Sequence, residues 1–221
     1  MIDYFSKKFV PYIPPSEYDK VAQEFLEQFF PEGLKYPVPV PIGNIAKTGL
    51  GLDIQYICLS EELDIYGMTI FTDGNVEVYD PDERLYSTKF FKAKTVLIDP
   101  EAVKKTTLGC RNNTIAHECV HWYKHRYYYK MQNITLPRYA KFCKCHIDQL
   151  PVDTDEEIIM ESQAIGIAPR ILMPRATFIE ASEQLGISFR KDNQAAISKL
   201  ANTFEVSKQS VAIRLKECNI L

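Results

Sequence analysis

Apolar positions recur at helical spacing from the start of the chain. Val21, Phe25, Leu26 and Phe29 fall on one face of a helix read over Ser16 to Phe30, with Ser16 able to cap its start and Pro31 and Gly33 ending it. The proline-rich stretch Pro37 to Pro41 is extended, because proline fixes φ and lacks a donor. The period then shortens. Ile54 to Leu59, Tyr66 to Thr72, Val76 to Tyr79 and Thr95 to Ile98 read as strands. Asp73-Gly74-Asn75 between the second and third predicts a hairpin, since Gly and Asn tolerate positive φ. After Gly109 the pattern is helical again. One helix is expected from a cap at Asn112 or Asn113 to about Met131, and a second over Thr154 to Leu172. Asp155, Glu156 and Glu157 suit the positive end of that second helix. Arg175 to Leu185, Asn193 to Phe204 and Ser207 to Glu217 read as three shorter helices.

This order implies an α+β fold: a small, twisted, mostly antiparallel sheet packed on a helical core, followed by a helical tail. Met173-Pro174 is the expected seam between a main domain, residues 1–174, and the tail, residues 175–221. A net charge of -3 exerts no global pull toward nucleic acid or anionic membrane. Lys7 and Lys8 precede no apolar run of signal-peptide type, and no stretch approaches the ~18 apolar residues that cross a bilayer. A cytoplasmic location is therefore expected. There the six cysteines stay reduced, so their even number implies no pairing.

Chemistry is concentrated in one place. Three of the four histidines fall within nine residues, in Asn112-Asn-Thr-Ile-Ala-His-Glu-Cys-Val-His-Trp-Tyr-Lys-His125. His117-Glu118-Cys119-Val120-His121 is an H-E-x-x-H pattern. Residues four apart on a helix share a face, so His117 and His121 can hold one metal ion together. Glu118, beside the first ligand, can reach a water rather than the metal, as a general base must. A chance match arises in roughly one chain in two hundred of this composition. Thr114, Ile115, Ala116 and Val120 also supply an apolar side for the helix to bury.

A catalytic zinc site needs a third protein ligand and an open position. The metzincin arrangement is excluded, because Tyr127 stands where its third histidine would be and Lys124 where its glycine would be. His125 lies a turn beyond His121 and reads as a supporting or surface residue rather than a third ligand. Glu161 is the better candidate. Ile158, Ile165 and Leu172 flank its face at helical spacing, and a carboxylate in an apolar stripe is costly unless paired or bound to metal. For stabilising an oxyanion, Tyr123, Arg126, Tyr127 and Tyr128 are close in sequence, and the sequence does not choose among them.

The segments NTIAHECVHWYKH and ESQAIGIAPRILMP together resemble the two signature helices of the ImmA/IrrE family of metallopeptidases. Glu161, Ala164, Ala168 and Leu172-Met173-Pro174 match the second helix of that family. The resemblance spans about residues 16 to 174, with a short helix near Pro41 to Lys47 among its looser features. It implies zinc held by His117, His121 and Glu161, with Glu118 catalytic. It further implies an intracellular endopeptidase acting on a protein substrate, such as a helix-turn-helix repressor of a mobile element or stress response. Departures are Ile165 where the family has Asn, Pro169 inside the second helix, where a kink is expected, and a long spacer before Glu161.

That spacer contains Cys143, Cys145 and His146. C-x-C-H lacks the usual knuckle spacing and a fourth ligand, so structural or incidental cysteines are the expectation. The stretch Leu200 to Leu215 resembles a helix-turn-helix, with Ser207 capping a helix whose Val211 and Leu215 face inward. Lys199, Lys208, Arg214 and Lys216 form only a modest basic set, which favours packing or a protein partner over DNA. The alternative function is a non-catalytic metal-binding regulator that grips a repressor or DNA through these helices.

Overall fold

The computed structural model describes residues 10–104, 108–135, 142–146, 155–189 and 192–221. Its elements confirm an α+β fold. A 3-10 turn, Pro15–Glu17, leads into α1, Tyr18–Phe29. Ser16 lies inside that turn and caps nothing, because Pro15 already supplies the fixed φ that starts the helix. Phe25 and Leu26 are buried as the spacing requires. After a second 3-10 turn, Pro31–Leu34, comes the short α2, Ile42–Asn44, continued by a π turn over Ile45–Gly49.

The strands differ from expectation in their partners. They are β1, Asp53–Tyr56; β2, Ile65–Ile70; β3, Gly74–Asp80; β4, Leu85–Phe91; β5, Thr95–Ile98; and β6, Phe142–His146. They form two sheets rather than one. The larger has the order β1-β5-β2-β6, with β1 parallel to β5 and the other pairs antiparallel. In the smaller, β3 pairs with β4. The hairpin turn is therefore Pro81 to Arg84, with Arg84 at φ 52, and not Asp73 to Asn75. Neither Gly74 nor Asn75 takes positive φ. Asp73 instead accepts the Ala93 N–H at 2.7 Å, which makes that turn a corner where the chain leaves one sheet for the other.

β2 shows the period of two at work. Met68 and Ile70 face the β3–β4 ribbon, in a cluster with Val76, Val78, Phe91 and Leu97. Gly67, Thr69 and Phe71 face the opposite way, toward the helices. Phe71 stacks on Trp122 and on Tyr129, with ring centroids 5.9 and 4.2 Å apart. The sheet thus carries the ribbon on one face and the metal-motif helix on the other.

The helical half begins with α3, Pro100–Lys104, then α4, Leu108–Val120. A π turn over His121–His125 leads into α5, Arg126–Thr135. Asn112 and Asn113 lie within α4 and cap nothing; Asn112 donates to the Glu205 carbonyl at 3.0 Å instead. Next are α6, Asp155–Leu172; α7, Arg175–Gln184; α8, Gln194–Phe204; and α9, Lys208–Glu217. Thr154 lies outside the described residues. The helix continues through Pro169 to Leu172. Proline removes the donor for the Ile165 carbonyl, on a side of the helix where Ile165 is exposed and water can substitute. Ser207 caps α9, accepting the Ser210 N–H at 3.0 Å, and Val211 and Leu215 face inward as expected.

The tail helices share one apolar cluster with the rest of the helical half. Phe178, Leu200, Phe204, Val211 and Leu215 belong to the same core as Phe25, Ala164 and Ile171. Charge ties them as well. Arg214 is not a free basic residue: it is buried, donates to the Met173 carbonyl at 3.2 Å and to Glu217 at 3.1 Å, and pairs with Asp19 of α1. Arg170 of α6 pairs with Glu217 at 3.1 Å. Replacing Arg214 by Met should destabilise the protein by about 3 kcal/mol, because two carboxylates lose a buried partner. A denaturant midpoint shift checks this, and an unchanged midpoint would show that the ion pairs do not hold the tail.

Candidate metal centre

α4 is buried along almost its whole length, so its neighbours must fit it closely. At Gly67 of β2 a side chain would collide: a β-carbon there would sit 2.8 Å from Thr114 Cγ2 and 2.9 Å from Glu118 Oε1. Glycine lets the helix lie against the strand and brings Glu118 under it. On the other flank α6 packs with Met160, Glu161, Gln163, Ala164, Ile167, Ala168, Ile171 and Leu172 buried. The stripe beside Glu161 is not the expected one, since Ile158 and Ile165 are exposed. Glu161 is buried because it borders the 160-164-167-171 stripe, one helical step round.

The structure brings His117, His121 and Glu161 together. His117 Nε2 and His121 Nε2 lie 2.9 Å apart. Glu161 Oε2 is 3.1 Å from the first, and Oε1 is 3.0 Å from the second. All three residues are at most 2% exposed. Two imidazoles and one carboxylate are the ligand set of a catalytic zinc. Ligands at ~2.0–2.1 Å around a tetrahedral zinc stand ~3.3 Å from one another, close to the spacings here. Among the described residues this is the His/Cys/Asp/Glu group whose donor atoms can share an ion.

Electrostatics agree with a site for positive charge. Burial alone would push the Glu161 carboxyl up, but the His121 and His117 imidazoles beside it hold it well below the usual carboxylate range. Glu118 goes the other way. Complete burial raises its pKa, against the opposing pull of His117, His121 and the hydrogen bond from Thr69. Thr69 Oγ1 donates to Glu118 Oε2 at 2.6 Å. Glu118 Oε1 is buried with no hydrogen-bond partner, an acceptor left open for a water. Together these features fit a divalent metal with a base beside it.

The remaining candidates fall elsewhere. His125 is buried, with Nδ1 3.0 Å from His121 Nδ1 and Nε2 2.9 Å from Gln163 Oε1, and burial lowers its pKa to about 3. It stands behind His121, on the side away from Glu161's contact with His121 Nε2. Arg126 donates to the Trp122 and Tyr123 carbonyls at 3.2 and 2.8 Å. Tyr127 is exposed, and Tyr123 packs edge-on against Phe25. Cys143, Cys145 and His146 lie on β6, paired with β2, and their side chains fall outside the described residues. Thr69, Gly67 and Gln163 have no motif of their own in the sequence. A polar residue in an apolar strand was the available signal for Thr69.

The Peptidase_M78 family model, described as the IrrE N-terminal-like domain, matches residues 80–216. The chain belongs to this IrrE-like family. The match contains both metal-site helices and runs past Pro174 into α9, so it begins later and ends later than the resemblance read from residues 16 to 174. The IrrE-like family is of metallopeptidase type, which implies a metal cofactor. No curated protein matches the chain. Among solved structures, a Mycobacterium tuberculosis transcriptional regulator is similar at 17% identity and a TM-score of 0.47, over 97% of this chain and 50% of that one. The chain thus spans half the length of that protein. No helix among the described residues is long and apolar enough to cross a membrane.

Thr69→Val keeps the shape of the side chain and removes the donor to Glu118. The loss of that buried bond should cost about 1–3 kcal/mol of stability, with Thr69→Ser close to wild type. Equal denaturation midpoints for Val and wild type would mean that Thr69 does not hold the carboxylate.

Proposed function

We propose that this protein is a zinc-dependent endopeptidase that hydrolyses a peptide bond in a protein substrate. The observation that carries the proposal is the convergence of His117, His121 and Glu161 beside a buried Glu118 with one oxygen held and one open. A structural metal site has no need of such a base.

In this reading His117 on α4 and His121 at the start of the π turn that continues it, one turn apart, hold the metal through Nε2, and Glu161 from α6 closes the set. Zinc, when bound, supplies Lewis acidity toward a peptide carbonyl and toward water. Thr69 fixes Glu118 through Oε2, so that Oε1 meets the attacking water and takes its proton. The raised pKa of Glu118 suits it to hold that proton and to return it to the leaving amine. The dry surroundings of His117, His121 and Glu161 strengthen each of these electrostatic contacts. For the substrate, the family resemblance supports an intracellular helix-turn-helix repressor. Lys199, Lys208 and Lys216 on the tail are exposed, whereas Arg214 is committed internally. This leaves a small basic set, better suited to a protein partner than to DNA.

Glu118→Gln should bind zinc as wild type does while kcat for cleavage of a co-purified repressor falls about 10²–10⁴-fold. Glu161→Ala should lose the zinc itself. Metal content and fragment analysis on gels read both, and cleavage retained by Glu118→Gln would remove the base from its role.

A further inference from the structure

His121 is held from behind by a chain of hydrogen bonds whose direction can be worked out from its far end. The Pro11 carbonyl can only accept, and Gln163 Nε2 donates to it at 2.8 Å. This fixes the orientation of the Gln163 amide, so its oxygen faces His125 Nε2 at 2.9 Å. That oxygen can only accept, so His125 carries a proton on Nε2. In the neutral ring Nδ1 is then a lone pair, and it faces His121 Nδ1 at 3.0 Å. The proton between the two rings therefore belongs to His121 Nδ1. His121 Nε2 is left as a lone pair directed at His117 and Glu161.

We propose that Gln163 and His125 are positioning residues that lock His121 in its Nδ1–H tautomer and present its Nε2 to the metal. The proposal rests on the reading of His121 as a ligand. The four members come from separate parts of the fold: Pro11 before α1, Gln163 on α6, and His121 and His125 at the two ends of the π turn. The π turn sets the two rings 5.1 Å apart and tilted at 62° to each other. π turns of this kind occur frequently at functional sites. Gln163 lies two residues after Glu161, and both are buried, so one helix delivers a ligand and the polar group that orients another. A His121 ring free to move its proton to Nε2 would point N–H, not a lone pair, into the donor set. Partners behind a ligating histidine typically change metal affinity 10–100-fold.

The test uses full-length protein labelled with ¹⁵N-histidine, whose four histidines are few enough to assign. Long-range ¹H–¹⁵N spectra of zinc-free and zinc-loaded protein should show His125 protonated on Nε2 and not on Nδ1 in both states, and His121 protonated on Nδ1 with zinc. Gln163→Met should lose the single His125 tautomer and weaken zinc binding, measured by chelator competition, about 10–100-fold. A His125 unprotonated on Nε2 in the wild-type protein would overturn the proposal. So would Gln163→Met binding zinc like wild type. Should Gln163→Met not fold, the wild-type spectrum still decides. Because the His125 tautomer is read without zinc, failure of the peptidase reading leaves this result intact.

Discussion

Two imidazole nitrogens and a carboxylate crowd one point in the interior of this protein, with almost no access to water. A carboxylate buried there needs a partner among these groups, either an imidazole N–H or a cation that all three can share. Burying an unpaired carboxylate costs several kcal/mol, a large part of the 5–15 kcal/mol that typically separates folded from unfolded chains. The two rings beside Glu161 hold its carboxyl in the charged form against the burial that would raise its pKa. A protein keeps so costly a group buried only where something pays for it, and a divalent cation is the partner that this donor set suits.

The surrounding fold can be read as support for that point. α4 sits against the bare backbone of Gly67 on one side and against α6 on the other. α6 in turn is clamped by α1, where the Tyr18 ring occupies the space left by Gly166. Asp19, one residue further on, joins Arg214 and Arg175, while Arg170 joins Glu217. The tail helices therefore bear on the same helix that delivers Glu161. Gly109, at the start of α4, leaves no room for a side chain against Val206 and Ser207, so the metal-motif helix and the turn between α8 and α9 lie in direct contact. Stability and site geometry are linked here through packed helices, which transmit small displacements because interiors are dense.

Local signals carried far into this structure, and failed where partners are distant in sequence. The three tail helices, the Ser207 cap and the inward Val211 and Leu215 follow from periodicity and capping, which act within a few residues. Pairing of strands does not. The Asp73-Gly74-Asn75 signal is a sound turn signal, yet β2 finds its partners in β5 and β6, and a corner replaces the expected hairpin. Asn112 has the chemistry of a cap but is used to hold the Glu205 carbonyl, 93 residues away. Arg214 looks like surface charge until Asp19 and Glu217 close on it.

The spacing of His117, Glu118 and His121 determined by itself that two imidazoles share a helix face with an acid beside them, because a helix turn returns every three to four residues. The residue types likewise determined the chemistry that such a face can perform. Only the tertiary structure decided that Glu161 completes the group, that Thr69 holds one oxygen of Glu118, and that Gln163 and His125 stand behind His121. Apart from the His121–His125 pair within one turn, these contacts join residues on separate elements, across up to 49 positions of chain. Their geometry is set by how β2, α4 and α6 pack, and no local periodicity encodes it.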